Sequence, residues 1–213
     1  MNQRRLLIVG VAAWAASLLL GVASASNGVT GGSMGGMMGG LFNGGSQNIG
    51  IDRAVAIAQG VAGSYSSGGL TVDELMEFTN NYYASVREKS TGIGAFEILI
   101  DKSNGDVMEE PPSMMWNTRY GMMLGGMMGG AGFGTGGPMT VTSDRAQNIA
   151  QQWLDANQPG DSANSPDSFY GYYTVDFEKG GKLAGMLSVN GYSGQVWYHT
   201  WHGSFIQMKD LGA

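Results

Sequence analysis

The chain of 213 residues contains no cysteine, which excludes disulfide bonds, thiol catalysis and metal sites built from thiolates. Charged residues are scarce, at 13%, and acidic residues outnumber basic ones by 17 to 11. Such a chain has no basic stripe to neutralise phosphates, so we expect no nucleic-acid partner. The sequence also lacks a Gly-x-Ser-x-Gly elbow and a Walker lysine. We therefore expect a protein that is not an enzyme.

The first 25 residues predict export. Arg4 and Arg5 precede an uncharged apolar run over residues 6–22, and the small residues 23–25 offer a signal-peptidase site. This order of segments is typical of a secretory signal peptide. A helix of this length spans about 25 Å, near the lower limit for a bilayer, so a retained anchor that contacts the membrane through residues 6–22 is the alternative. Either way, we expect the remainder to be extracytoplasmic, in the periplasm or at the cell surface.

Glycine is abundant, at 37 residues, and it is concentrated in two low-complexity tracts at residues 31–45 and 121–137. Glycine at this density costs too much backbone entropy to sustain a helix or strand, so both tracts are interpreted as linkers. They divide the chain into a signal or anchor segment, a linker, a folded unit, a second linker and a second folded unit, at residues 1–25, 26–50, 51–113, 114–140 and 141–213.

The two folded units resemble each other in sequence. The segment at residues 52–59 recurs at 144–151, and a hydrophobic run closed by a glycine turn at 97–107 recurs at 186–196. Order and spacing are both kept, which indicates an internal duplication. In each unit an apolar period typical of a helix precedes patterns typical of strands. The sequence therefore predicts an α+β fold of two tandem helix-plus-antiparallel-meander units joined by a Gly/Met-rich linker.

Local patterns add detail to this prediction. Asp52, and Ser143 or Asp144, are placed to cap the two helices. Residues 71–78 fit either a capped helix or a strand, and we favour the strand because asparagines follow it where a hairpin turn is needed. Residues 157–168 are expected to form an irregular insert.

Acidic residues near the strands are interpreted as solvent-exposed. Glu109 and Glu110 stand before two prolines and look like a solvated strand end. Asp73, Glu74 and Glu77 are expected to lie on an exposed face. Neither group is expected to act as a catalytic carboxylate pair.

A helix followed by an antiparallel meander, ending in a hydrophobic strand and an Asp-x-x-x-Gly-x-Val turn, resembles the PepSY domain family. Residues 54–58, 83–86 and 98–107 carry the likeness, and the second unit departs from it because Asn190 replaces the aspartate. The resemblance implies a small non-catalytic α+β module outside the cytoplasm, with an inhibitory or partner-binding role. Residues 114–121, ahead of a Gly-Met tract, are also similar to a segment of prokaryotic exported proteins, which implies no particular activity.

Methionine is the strongest chemical lead, because thioethers are soft, neutral ligands that suit Cu(I). Methionine pairs on flexible glycine sequence could surround one ion with several sulfurs. The alternative is that the same side chains make adaptable apolar contacts with a partner or a membrane surface. The candidate copper ligands are Met34, Met37, Met38, Met114, Met115, Met122, Met123, Met127 and Met128.

The two histidines, His199 and His202, are further candidate metal ligands. In an extended strand, positions three apart point to opposite faces, so these side chains could not bind one ion. In a turn or helix they could. The neighbouring Trp197, Tyr198 and Trp201 are interpreted as an aromatic strand that contacts a partner.

Two functional hypotheses follow. The first is an exported, non-catalytic binding or accessory module that contacts another exported or membrane protein through PepSY-like repeats. The alternative is a Cu(I)-binding protein that uses the Met/Gly-rich tracts, with Cu(I) as its cofactor.

The copper hypothesis predicts the effect of removing thioethers from the tracts. Serine at Met37, Met38, Met122, Met123, Met127 and Met128 should abolish Cu(I) binding and leave the fold intact, because serine offers no soft ligand. A Cu(I) titration under reducing conditions, competed with a chromogenic chelator, measures the affinity. Equal affinities of the two proteins would contradict the hypothesis.

Overall fold

The computed structural model describes residues 48–65, 69–121 and 137–212, and it has an α+β fold with antiparallel sheets. The predicted signal segment and most of both glycine tracts lie outside the described residues. The elements, in chain order, are α1 (Ile51–Ser64), β1 (Leu70–Phe78), β2 (Asn81–Glu88), β3 (Gly94–Asp101), β4 (Val107–Glu109), α2 (Pro111–Trp116), α3 (Ser143–Asn157), β5 (Asp161–Ala163), β6 (Asp167–Ser168), β7 (Tyr172–Lys179), β8 (Lys182–Asn190), β9 (Val196–Tyr198) and β10 (Phe205–Asp210).

The described strands form two antiparallel sheets. The first has the order β10-β1-β2-β3-β4, and the second has the order β5-β7-β8-β9, with β6 also paired to β7. After β9 the chain leaves the second sheet. Its last strand, β10, completes the first sheet by pairing with β1, so that Met208 lies opposite Met76. The C-terminal end of the chain is therefore part of the sheet that the N-terminal strands begin.

Each sheet is covered by a helix on one face. Small residues such as Ala54 and Ala58 are buried where α1 packs on the first sheet, and Ala146 and Ala150 do the same for α3 on the second. A third apolar cluster joins strands of both sheets, because Leu99 of β3 and Met186 of β8 belong to it. The order of layers is thus α1, first sheet, second sheet, α3. Both sheets are buried on both faces along their central strands.

The alternation of side chains along the strands explains this layering. In β3, Phe96, Ile98 and Ile100 face α1, as the sequence predicts. The residues between them, Glu97 and Leu99, face the second sheet and are also buried. The space between the sheets therefore receives polar side chains as well as apolar ones.

One local prediction is confirmed, and one is wrong. Residues 71–78 lie in β1, which is a strand as expected. The capping prediction is wrong, because α1 follows Gly50 with no side-chain cap and Thr142 caps α3 by accepting from the Arg145 N–H. Asp52 and Asp144 instead lie in the first helical turns, where their charge suits the helix dipole.

The insert and the described start of the second linker are more ordered than the sequence indicates. Residues 157–168 contain β5 and β6, which pair with β7. The expected linker at 114–140 begins inside α2. It continues into Asn117, which is buried and whose side-chain Nδ2 donates to the Ala95 carbonyl at 2.5 Å. Strand pairing orders the insert, a side-chain hydrogen bond to β3 orders Asn117, and such partners are not visible in local composition. Among the described residues, no helix is both long and apolar enough to cross a membrane.

A contact between Gly94 and Phe169 gives a test of the packing between the two sheets. A Cβ at Gly94 would lie 2.3 Å from the Phe169 ring, which is buried and stacked on Tyr172. We expect Gly94→Ala to lower the free energy of unfolding by about 1–3 kcal/mol through overpacking. The measurement is urea denaturation of the purified chain.

Gly60→Ala is the matched control, because Gly60 lies inside α1 and its Cβ would meet nothing within 4 Å. Alanine there should raise stability by about 0.5–1 kcal/mol through helix propensity. Equal effects at both glycines would contradict the packing described here.

Candidate functional site

A layer of polar side chains is buried between the two sheets. We call its members the buried polar layer: Glu97, Glu110, Thr174, Ser188, His199 and His202. They come from β3, the residue before α2, β7, β8 and the turn between β9 and β10. Polar groups of this kind are costly to bury without partners, so their contacts show what the layer can do.

Glu110 lies at the junction of β4 and α2. Its backbone N–H donates to the Glu97 carbonyl at 2.9 Å, which extends the pairing of β4 with β3 by one residue. Pro111 then starts α2, where proline is favoured in the first turn. The side chain is fully buried, so the prediction that Glu110 belongs to a solvated strand end is wrong. Glu74 is also buried, at 8% exposure, which corrects its assignment to an exposed face.

The two histidines lie in a turn, because β9 ends at Tyr198 and β10 begins at Phe205. The predicted aromatic strand at 197–201 therefore stops after Tyr198. The His199 N–H donates to the Met186 carbonyl at 3.1 Å, and the His202 carbonyl accepts from the Asn80 N–H at 3.1 Å. The turn directs both rings inward, with their centroids 5.4 Å apart. This is the geometry that allows two histidines to face one point.

The histidine rings converge on Glu110. Its Oε1 lies 3.3 Å from His199 Nδ1 and 2.9 Å from His202 Nε2. One ligand atom from each of the three residues lies within 4.8 Å of the others. We call these three residues the Glu–His cluster. Trp201 Nε1 also donates to Glu110 Oε1, at 3.2 Å.

The far side of each imidazole is held by a neutral side chain. His199 Nε2 lies 2.9 Å from Ser188 Oγ, and His202 Nδ1 lies 2.9 Å from Asn81 Oδ1. These contacts fix the orientation of both rings. Sequence reasoning identified the two histidines, but it missed Glu110 and Glu97. The one signal at Glu110 was the Pro-Pro pair, which marks a helix start.

Glu97 forms a second acidic centre in the layer. Tyr83 donates to its Oε1 at 2.5 Å, and Tyr172 donates to its Oε2 at 2.9 Å. Burial raises the pKa of Glu97 well above its ordinary value, and the charge of Glu110 raises it further, against the effect of these hydrogen bonds. Burial and the charge of Glu97 also raise the pKa values of Tyr83 and Tyr172.

The pKa of Glu110 shifts in the opposite direction. Burial alone would raise its pKa, but the charge of His199 and the contacts with both histidines outweigh burial and lower the pKa of Glu110. Burial also lowers the pKa of His202, an effect that Glu110 partly offsets. The two carboxyl groups of the layer therefore differ, with Glu97 biased toward the neutral acid and Glu110 toward the carboxylate.

The other predicted site residues lie elsewhere. Met114 and Met115 belong to α2, where Met115 is exposed. The remaining candidate copper ligands, Met34, Met37, Met38, Met122, Met123, Met127 and Met128, lie outside the described residues.

The aromatic residues predicted to contact a partner are half-buried and pack within the chain. Trp197 contacts Trp116 edge-on, with ring centroids 5.4 Å apart. Tyr198 stacks on Trp153 at 5.1 Å, and Trp201 stacks on His199 at 4.7 Å. Their contacts with other elements hold β9 and the following turn in place.

A separate surface pocket has a volume of about 310 Å³ and includes Met139, Phe169, Tyr170 and Tyr192 in its lining. Its walls are mainly apolar, and it contains no member of the Glu–His cluster. The buried cluster, with its convergent ligand atoms, is the stronger candidate for chemistry.

Comparison with known proteins gives one distant structural neighbour. No family model matches the chain, and no curated protein matches it in sequence. Among solved structures, the C-terminal domain of YpeB from Bacillus megaterium is similar, at 10% identity and a TM-score of 0.26. The match covers 70% of this chain and 62% of that one, so the chain spans less than two thirds of the neighbour's length. A TM-score this low carries no argument about function.

The raised pKa of Glu97 predicts a pH dependence of stability. A native state that holds this proton more tightly than the unfolded chain loses stability as pH rises through the folded pKa. We expect the unfolding free energy of the wild type, relative to Glu97→Gln, to fall as pH rises above 4.5, the ordinary value of this carboxyl group. The slope should not exceed about 1.4 kcal/mol per pH unit, since one proton is involved.

Urea denaturation from acidic to mildly alkaline pH, with EDTA present, measures this difference. Glutamine keeps the volume of the side chain, and the tyrosine hydroxyls can accept as well as donate. If the unfolding free energy of the wild type instead rises relative to that of Glu97→Gln as pH rises, the assignment of a raised pKa to Glu97 is wrong.

Proposed function

We propose that this chain is an exported, non-catalytic binding protein, built from two tandem PepSY-like units, that contacts another exported or membrane protein. The observation that carries the proposal is the exposed apolar edge of the first sheet at β10. Ile206 is 49% exposed and Met208 is 37% exposed on this strand. In the described part of the chain, β10 is the end of the sheet.

Matched contacts in the two halves support the tandem interpretation. The hydroxyl of Tyr82 in β2 donates to the Ile49 carbonyl just before α1, at 2.5 Å. The hydroxyl of Tyr173 in β7 donates to the Val141 carbonyl just before α3, at 2.7 Å. Each helix is thus tied to the corresponding strand by the same type of bond.

The glycine turns are matched as well. Gly105 and Gly194 both have positive φ, at 81° and 74°, which glycine adopts without strain. An added Cβ would meet Ile57 of α1 at Gly105 and Ile149 of α3 at Gly194. The two turns therefore pack against equivalent positions of the two helices, as expected for copies of one ancestral unit.

The edge of β10 suits a partner that adds a strand. An edge strand presents unpaired backbone N–H and C=O groups, and an exposed apolar edge favours pairing with another chain. Strand addition obtains affinity from main-chain hydrogen bonds and specificity from alternate side chains. Ile206, Gln207 and Met208 are all exposed, so an extended segment of a partner can lie against them. We propose that this encounter takes place outside the cytoplasm, which the predicted signal segment supports.

Charges on β10 should remove the partner. In the Ile206→Lys, Met208→Lys double variant, an added strand would have to cover two ammonium groups, so we expect at least about a tenfold loss of bound companion, which corresponds to about 1.4 kcal/mol. The measurement is quantitative mass spectrometry after purification of the tagged full-length chain from membranes and supernatant of its native host.

The matched control is the Asn148→Lys, Gln152→Lys double variant, which places the same two charges on α3. Both residues are exposed and distant from β10 in sequence. The control should retain the companion at wild-type stoichiometry. A wild-type chain recovered as a clean monomer, or equal recovery of the companion with both variants, would count against the proposal.

A further inference from the structure

The geometry points to a binding site for one divalent transition-metal ion, of the zinc type, formed by Glu110, His199 and His202. This site is independent of the proposed contact at β10 and of the methionine tracts. Its three ligands are each no more than 4% exposed, and one ligand atom from each lies within 4.8 Å of the others.

The first argument is that three buried atoms of the Glu–His cluster have no hydrogen-bond partner. Glu110 Oε2, His199 Nδ1 and His202 Nε2 are buried, and no hydrogen bond in the described structure satisfies them. The His199 and His202 nitrogens lie 3.3 and 2.9 Å from Glu110 Oε1, and each approach is an ion pair only when the ring is protonated. Buried polar atoms nearly always have a partner, so when both rings are neutral a cation is the partner that these atoms lack.

The second argument concerns the proton on His202. Asn81 Nδ2 donates to the Trp201 carbonyl at 3.1 Å, which orients the carboxamide so that Oδ1 faces His202 Nδ1 at 2.9 Å. An amide oxygen only accepts, so Nδ1 carries the proton of the neutral ring. His202 Nε2 is then left with a lone pair that points toward Glu110.

His199 can also be a neutral ring whose lone pair points toward Glu110. Its Nε2 lies 2.9 Å from Ser188 Oγ, and Ser188 lies 3.3 Å from Thr174 Oγ1. Ser188 can therefore accept from His199 and donate to Thr174, which leaves the lone pair on His199 Nδ1. Second-sphere contacts of this kind orient histidine ligands in metal sites.

Two lone pairs and a carboxylate that face one another need a cation between them. Protons are the competing source of positive charge: a doubly protonated His202 can donate to Glu110, and His199 can donate from Nδ1 while its Nε2 accepts from Ser188. One divalent ion would instead satisfy both lone pairs and the carboxylate at once. Zinc ligands lie about 2.0–2.1 Å from the ion, hence about 3.3 Å from one another in a tetrahedron, which is close to the separations seen from Glu110 Oε1.

The donor set selects the type of metal. Two imidazoles and one carboxylate suit zinc and its neighbours in the transition series rather than magnesium or calcium, which prefer all-oxygen sites. Three protein ligands leave a fourth position on a tetrahedral ion. The ligands are separated by 89 and 92 positions in the sequence, so the bound ion would tie the start of α2 to the turn before β10.

Zinc titration of the EDTA-treated full-length chain, competed with a chromogenic chelator, tests the site. We expect one Zn²⁺ per chain and at least about a tenfold weaker Kd in each of Glu110→Gln, His199→Gln and His202→Gln. Asn81→Ala should weaken binding by about 10–100-fold, because it removes the group that orients His202. Asp161→Asn is the matched control, since it alters a buried carboxyl in β5 that lies outside the buried polar layer, and it should keep one ion per chain.

X-ray absorption of the zinc-loaded wild type makes the test independent of how the variants fold. We expect a shell of nitrogen and oxygen ligands with the signature of two imidazoles. A sulfur-dominated shell, the same affinity in the triple variant of Glu110, His199 and His202, or the absence of stoichiometric zinc binding would each overturn the proposal.

Discussion

The arrangement of this protein depends on the burial of charged and hydrogen-bonding groups between two sheets. An apolar interface could pack in several registers, but a carboxylate such as Glu110 must meet specific partners or lose free energy. Those partners are His199 and His202, which enter the interface from a turn near the end of the chain. The same turn leads into β10, so the position of these rings and the pairing of β10 with β1 are set together.

The two acidic groups in this interface illustrate how environment determines chemistry. Glu97 is surrounded by tyrosine hydroxyls and apolar strands, and burial raises its pKa. Glu110 meets two imidazoles, which lower its pKa although it is equally buried. Both are glutamates at the first sheet, joined by a backbone hydrogen bond. The groups that the second sheet and the following turn bring against them make the difference.

The sequence predicted the helices and central strands because their apolar periods are local properties. Alternation in β3 correctly placed Phe96, Ile98 and Ile100 on one face. It could not show that the opposite face, with Glu97, is also buried, because that depends on a second sheet more than 60 residues away. Glu110 was missed for the same reason. A glutamate beside prolines is usually solvated, and only the approach of the C-terminal turn makes it a buried group.

What the sequence by itself determined is the class of fold, α+β with antiparallel strands, and the chemical capacity of individual residues. The presence of two histidines and the absence of cysteine already limited the metal chemistry available. Tertiary structure alone decided that the two histidines share a target, that this target is Glu110, and that β10 joins the first sheet. Local patterns record propensity and period, whereas these contacts join residues about 90 or more positions apart, which only the packing of the whole chain brings together.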